Sequence, residues 1–143
     1  MIFDVQSKLS DAQAITATAV STNVLDLKDT GRPYKFAADL VRNIGAGNPI
    51  PLLVQVVEDF TLLTSLTFTL ETSDAENLTS SRVHWSSGAV LLASLIAGYK
   101  VPIFYVPNGP HLRYMGLRYT VAGTNPDAGK ITAGLVADIQ TNG

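Results

Sequence analysis

Cysteine is absent from the 143 residues, which removes disulfide frameworks, thiol nucleophiles and thiolate metal sites together. Histidine occurs twice, as His84 and His111. Jelly-roll metalloenzymes of the cupin kind place two histidines one residue apart on a strand, and His84-Trp85-Ser86 offers no second imidazole. Both are expected as strand-end or turn residues, with no metal site and no cofactor. Charged residues make up 15% of the chain and the formal net charge is −2, against about 25% charged in an average domain. No broad basic field is available to hold nucleic acid. No apolar run approaches the roughly 20 residues of a spanning helix. The N-terminus lacks the basic start, apolar middle and small-residue cleavage site of a secretory signal. The chain is therefore expected to be cytosol-made and soluble, without a membrane partner.

Apolar residues are plentiful, at 46%, which excludes a disordered chain. With so little charge, part of that apolar surface is expected to lie outside, as a patch for a partner. The length fits one domain, 1–143, burying about 68–70% of the surface its unfolded chain exposes. Residues 1–10 are expected as an N-terminal arm.

Period-two patterning dominates. Ser65-Leu66-Thr67-Phe68-Thr69-Leu70-Glu71 alternates strictly, as a half-buried strand does. Residues 14–20 are a weaker case, rich in small and β-branched side chains. The run 52–57 is almost continuously apolar, as in a central strand covered on both sides. Residues 113–121 place Met115, Leu117, Tyr119 and Val121 on one face, and 130–138 do the same with Ile131, Ala133, Leu135 and Ala137. The turn residues between them predict a C-terminal hairpin. Shorter strands are expected at 23–27, 81–85 and 103–106, the last an edge piece bracketed by Pro102 and Pro107. Residues 89–97, with Gly98 as C-cap, read as a short helix, and 35–41 as one helical turn or an extended arm. About eight strands with at most one or two short helices predict an all-β fold: a single-domain antiparallel β-sandwich of jelly-roll type.

No catalytic set emerges. Glu58 and Asp59 are neighbours and face opposite ways on a strand. The pairs Asp26/Asp29 and Asp74/Glu76, like Glu58/Asp59, read as solvated loop charge. Gly45-Ala46-Gly47 leads into Asn48-Pro49 rather than Gly-Lys-Ser, so it is a tight turn and not a phosphate loop. No serine sits in a Gly-x-Ser-x-Gly elbow. Arg113, Arg118, Tyr114 and Tyr119 form an aromatic-basic strip, which more often marks a protein interface than a stacking site for bases or sugars.

Several segments together carry a resemblance: MIFD at 1–4, SDAQAITATA at 10–19, STNVLDL at 21–27, NIGAG at 43–47, LLVQVV at 52–57, LASLIAGY at 92–99, YMGLRYTV at 114–121 and ITAGLV at 131–136. In their order and spacing the chain resembles the capsid cement (decoration) proteins of short-tailed phages of the Bordetella-phage type. The likeness runs over nearly the whole length, less closely at 29–41 and 72–81. It implies a jelly-roll protein, made in the bacterial host cytoplasm, on the outer capsid surface of the virion. There it would bind the phage major capsid protein of an HK97-type shell, bridge neighbouring capsomers against DNA pressure, and perform no chemistry.

The expected contact residues are Ile2 and Phe3, apolar at a terminus, with Tyr34, Phe36, Tyr105, Arg113 and Tyr114 in second rank. A homodimer or homotrimer is expected, since closed symmetric assemblies are the norm. A rival reading is a carbohydrate- or receptor-binding β-sandwich module of the virion, stacking ligand on Trp85, Tyr105 and Tyr114. A jelly-roll enzyme is the third reading, opposed by the missing histidine pair.

Overall fold

The alternation at 65–71 places Leu66, Phe68 and Leu70 in the interior without exposure, while Thr67 and Thr69 between them are half-buried. The same rule acts at 115–119, where Met115, Leu117 and Tyr119 point inward. The structure, a computed structural model, describes residues 2–44 and 46–139; Gly45 of the predicted turn and Met1 of the expected arm lie outside that range. Its strands are β1 (Phe3–Ala14), β2 (Ala19–Val20), β3 (Leu25–Asp26), β4 (Leu52–Glu58), β5 (Leu63–Ser73), β6 (Arg82–Leu91), β7 (Tyr114–Gly123) and β8 (Lys130–Val136). The fold is all-β, with two antiparallel sheets arranged as a sandwich and no α-helix among the described residues.

The smaller sheet has the order β1-β8-β4, and the larger β2-β7-β5-β6, with β3 also on β7. Residues 98–106 extend the smaller sheet along the free side of β4. Val101 N–H donates to Val54 O at 2.9 Å, Leu52 N–H to Phe104 O at 2.9 Å, and Val106 N–H to Ile50 O at 3.0 Å. Pairing thus links β1 with β8, β2 and β3 with β7, β4 with 98–106, and β5 with β6. This is one long antiparallel ribbon whose arms alternate between the two sheets.

That topology corrects three expectations. β7 and β8 do not form a hairpin: they lie in different sheets, and residues 124–129 cross between them. Period-two patterning shows that each strand has a buried face, not that two neighbours share a sheet. The expected helix at 89–97 is the end of β6, with Leu91 opposite Ser65, followed by a 3-10 turn at Leu92–Ser94. Short apolar runs do not distinguish helix from strand. Within the expected arm at 1–10, the chain is strand from Phe3 and pairs with β8 through several register shifts. Residues 14–20 are no single strand either, because the chain turns from one sheet to the other at 15–18.

Leu9, Leu52, Val54, Val56, Ile131 and Ala133 of the smaller sheet meet Leu66, Phe68, Leu70, Met115, Leu117 and Tyr119 of the larger in one core. Phe68 and Tyr119, directly opposite on β5 and β7, pack edge to face with centroids 5.9 Å apart. The phenol of Tyr119 reaches across the sandwich to Ser10 Oγ of β1 at 2.7 Å. Because Ser10 Oγ donates its own proton to Gln13 Oε1 at 2.7 Å, Tyr119 is the donor and both buried hydroxyls are satisfied. β4, read from sequence as a central strand covered on both sides, is the end strand of the β1-β8-β4 order, flanked beyond it only by residues 98–106. Its outer face is partly covered: Leu53 is buried and Val57 is exposed.

The outer face of the larger sheet carries a lid. Residues 74–81, joining β5 to β6, fold back so that Leu78 lies buried over β7. This is possible because position 116 is glycine: a Cβ there would stand 2.8 Å from Leu78 Cδ1. Beneath the lid, the buried Glu71 carboxylate accepts from Arg118 Nε (3.1 and 3.0 Å), Thr69 Oγ1 (2.7 Å) and Ser81 Oγ (2.6 Å), and Arg118 also donates to Leu78 O at 3.0 Å.

Candidate functional site

Between β3 and β4 the described residues of 27–51 form no helix or strand, a length that in a compact domain usually belongs to function. A turn closes where Phe36 N–H meets Pro33 O at 3.0 Å, and Leu40 N–H reaches Gly31 O at 3.0 Å. Neither helix nor strand forms at 35–41. Tyr34 is 88% exposed and Phe36 68%, and Leu40 and Val41 are exposed as well. Arg32 Nε holds Asp39 at 2.9 Å across the loop, and Lys35 Nζ stands 5.4 Å from the Tyr34 ring centroid.

One short segment, 109–113, grips both necks of this loop. At its start, the Arg113 guanidinium binds Asp26 through two bonds of 3.0 and 3.1 Å and Asp29 through two of 3.2 and 3.3 Å, while Leu27 N–H donates to Arg113 O at 2.8 Å. The paired Arg113 hydrogen bonds hold the Asp26 carboxyl far below the usual carboxylate range, outweighing its partial desolvation. At its end, His111 N–H donates to Arg42 O at 2.7 Å, Gly109 N–H to Asn43 Oδ1 at 3.0 Å, and Asn43 bridges Pro110. Asp26 is therefore braced and largely withdrawn from water, while Asp29 is paired but stays solvated. Glu58 and Asp59 also have partners: Lys130 Nζ at 2.5 Å and Ala97 N–H at 2.6 Å.

The aromatic-basic strip does not exist as a surface. Tyr119 is buried in the core, Arg118 is committed to Glu71, and Arg113 is committed to the loop with its guanidinium 5.1 Å from the Tyr114 ring centroid. Sequence spacing shows which residues share a strand face but not which partners consume them.

A second apolar patch lies at one end of the smaller sheet. Ala137 N–H donates to Ile2 O at 3.1 Å, Val136 N–H to Pro51 O at 3.2 Å, and Pro51 bridges Tyr105. Ile2 (75% exposed), Phe3 and Tyr105 (53% exposed) are thereby brought to the same sheet end, beside a shallow groove of about 300 Å³ lined by Phe104, Tyr105, Asp138 and Ile139. A more polar hollow of about 400 Å³ lies between residues 20–24 and the lid residues Glu76 and Asn77. Trp85 packs against the core, and Tyr105 and Tyr114 belong to different sheets, so the three rings do not form a sugar-stacking platform.

The two histidines, distant in sequence, meet. Their ring centroids are 4.5 Å apart with planes inclined at 31°. His111 is 4% exposed and neither ring nitrogen makes a hydrogen bond. Burial lowers the affinity of both rings for a proton; at His84 the charge of His111 and then that of Arg82 add to the effect, while at His111 the Pro107 and Gly109 carbonyls oppose it weakly without reaching hydrogen-bond geometry. Only three-dimensional pairing reveals this cluster. Among the described residues no group of three or more His, Cys, Asp or Glu is placed to hold a metal ion, and no helix is long and apolar enough to cross a membrane.

Exposed apolar side chains thus gather on a braced loop and at a sheet end, with others at Val5, Leu62, Val83, Leu91 and Ile96. No curated protein matches the chain. Residues 9–135 match the family model of Bbp16, and by that match over most of its length the chain belongs to the Bbp16 family, that of the capsid cement protein Bbp16 of Bordetella phage BPP-1.

Proposed function

We propose that this chain is a capsid cement protein of a phage virion, with a structural and non-enzymatic role. The observation that carries the reading is the family match across residues 9–135. In this reading the protein sits on the outer capsid surface, binds the major capsid protein of an HK97-type shell and bridges neighbouring capsomers against DNA pressure. A protein that binds only the assembled lattice stabilises it by mass action. Contacts of about 1,000 Å² each suffice when repeated over a closed shell. The alternation of ribbon arms between the sheets supports the jelly-roll form of the sandwich, with the chain acting as one unit.

The docking surface is the exposed loop, with Tyr34 and Phe36 foremost, together with Ile2, Phe3 and Tyr105 at the sheet end. Arg113 and Tyr114 brace the loop from behind. Exposed apolar side chains on a chain with little charge support this placement. Copies associate as a dimer or trimer on lattice symmetry axes.

Mass spectrometry of purified virions after amine labelling of intact particles tests the location. The expected result is a fixed ratio of this chain to major capsid protein, with exposed lysines labelled before the particle is opened. Absence from purified virions, or labelling only after disruption, overturns the reading.

A further inference from the structure

We infer that residues 109–113 are an acid-sensitive clasp on the loop 27–43, whose His111 half opens on acidification while its Arg113 half stays shut. The inference starts from an imbalance in the clasp. His111 is interior, both its ring nitrogens lack partners, and its nearest ring is another imidazole. A buried polar group without hydrogen bonds is costly when neutral and far costlier when charged.

The charged groups that surround the pair are cationic. Arg42, from the loop, donates Nη1 to His111 O at 3.5 Å. Arg82, from β6, donates Nη1 to Pro110 O at 3.4 Å and lies close enough to His84 to disfavour its protonation. From β5 the facing group is Thr72, whose Oγ1 accepts from Leu112 N–H at 3.1 Å and stands 2.7 Å from His84 Nε2. A hydroxyl that accepts in this way has its own proton to give to Nε2 of a neutral ring. Nε2 of a protonated His84 donates instead to the second lone pair of the same hydroxyl, so this contact does not oppose protonation. The opposition comes from burial and the neighbouring cations. Among the described residues no carboxylate contacts either imidazole.

Protonation therefore favours any state in which His111 and His84 separate and reach water. The bonds lost in that separation are those of the His111 half: His111 N–H to Arg42 O, Gly109 N–H to Asn43 Oδ1, and the Asn43–Pro110 bridge. The sign is fixed by the direction of the shift. Rings held neutral in the closed state leave it fully stable above their ordinary value near 6.5 and weaken it as pH falls below that. The Arg113 half responds to acid only far lower, because Asp26 keeps its charge. The clasp stands whether or not the loop docks on a capsid; its effect on docking rests on the function proposed above.

Amide hydrogen exchange of the intact protein, resolved by NMR and corrected for the intrinsic effect of pH, tests this between about pH 7.5 and about pH 5. Protection of the His111 and Gly109 amides is expected to fall by about tenfold for each pKa unit of differential protonation. The Leu27 amide, bonded to Arg113 O, and the core amide of Leu117 are expected to keep theirs. His111→Phe is expected to shrink the pH effect to the share that His84 carries. Arg82→Gln, which leaves both rings in place, is expected to shrink it by relieving the repulsion that lowers the proton affinity of His84 in the closed state. Unchanged protection of His111 and Gly109, or simultaneous loss at Leu27 and Leu117, overturns the clasp. Failure to bind capsids at neutral pH overturns the functional reading alone and leaves this result to stand.

Discussion

Tyr119 shows how a single residue carries both halves of the sandwich. Its ring packs on Phe68 within the larger sheet, and its hydroxyl bonds Ser10 of the smaller one. The pattern Met115-Leu117-Tyr119 marks the ring as inward, and that much is legible in the sequence. The partner of its hydroxyl, 109 positions away, is not, because hydrogen-bond pairing across a core depends on topology rather than on local spacing. Burial pushes the phenol well above its ordinary value near 10. The folded state thus holds it neutral, so the stability it contributes is complete below about pH 10 and is lost as pH rises above that. Tyr119→Phe is expected to cost about 1 kcal/mol at neutral pH through loss of the hydrogen bond to Ser10, whose hydroxyl keeps Gln13 Oε1 as acceptor, and to flatten the alkaline decline. Urea unfolding at pH 7 and above pH 10 measures both effects.

At the scale of elements, strand existence is legible and strand partnership is not. The interior residues of β5, β7 and the first half of β8 follow from period two, and the all-β class follows from them. In the second half of β8 the alternation fails, with Val136 buried, Leu135 half-buried and Ala137 exposed beyond the strand. The apparent C-terminal hairpin fails because residues 124–129 connect the sheets instead of closing a turn. Within 27–51 only the turn at its glycines and prolines is legible, while the stretch 35–41 reads as one helical turn or an extended arm. The grip by 109–113 depends on Arg113 and His111, which sequence reading takes for an interface anchor and a turn residue. The lid at 74–81 depends on an equally silent feature, the missing side chain at Gly116. Gly116→Val is expected to push Leu78 off β7 and expose Glu71 and Arg118, costing about 1–3 kcal/mol as overpacking. Thermal unfolding checks the magnitude. Faster amide exchange in residues 74–81 than in β5 checks the place.

For the molecule as a whole, the family and its sandwich are legible because the matching segments run in order along nearly the entire chain. The contact surface is less so: composition shows that apolar groups must lie outside, while the fold selects which ones do. Tyr34 and Phe36 emerge on a braced loop, Ile2 and Tyr105 at one sheet end, and Arg113 turns out to be part of the brace. The central claim is that these exposed groups serve a lattice. The most direct measurement is co-sedimentation of the purified protein with expanded capsids of its own phage lacking it, followed by thermal rupture of the decorated shells. Saturable binding at a fixed ratio to major capsid protein, a raised rupture temperature, and loss of both in a Tyr34→Ala/Phe36→Ala variant that still folds are the predicted results. Shells that bind none of the protein, or bind it without gaining resistance to rupture, would contradict the account.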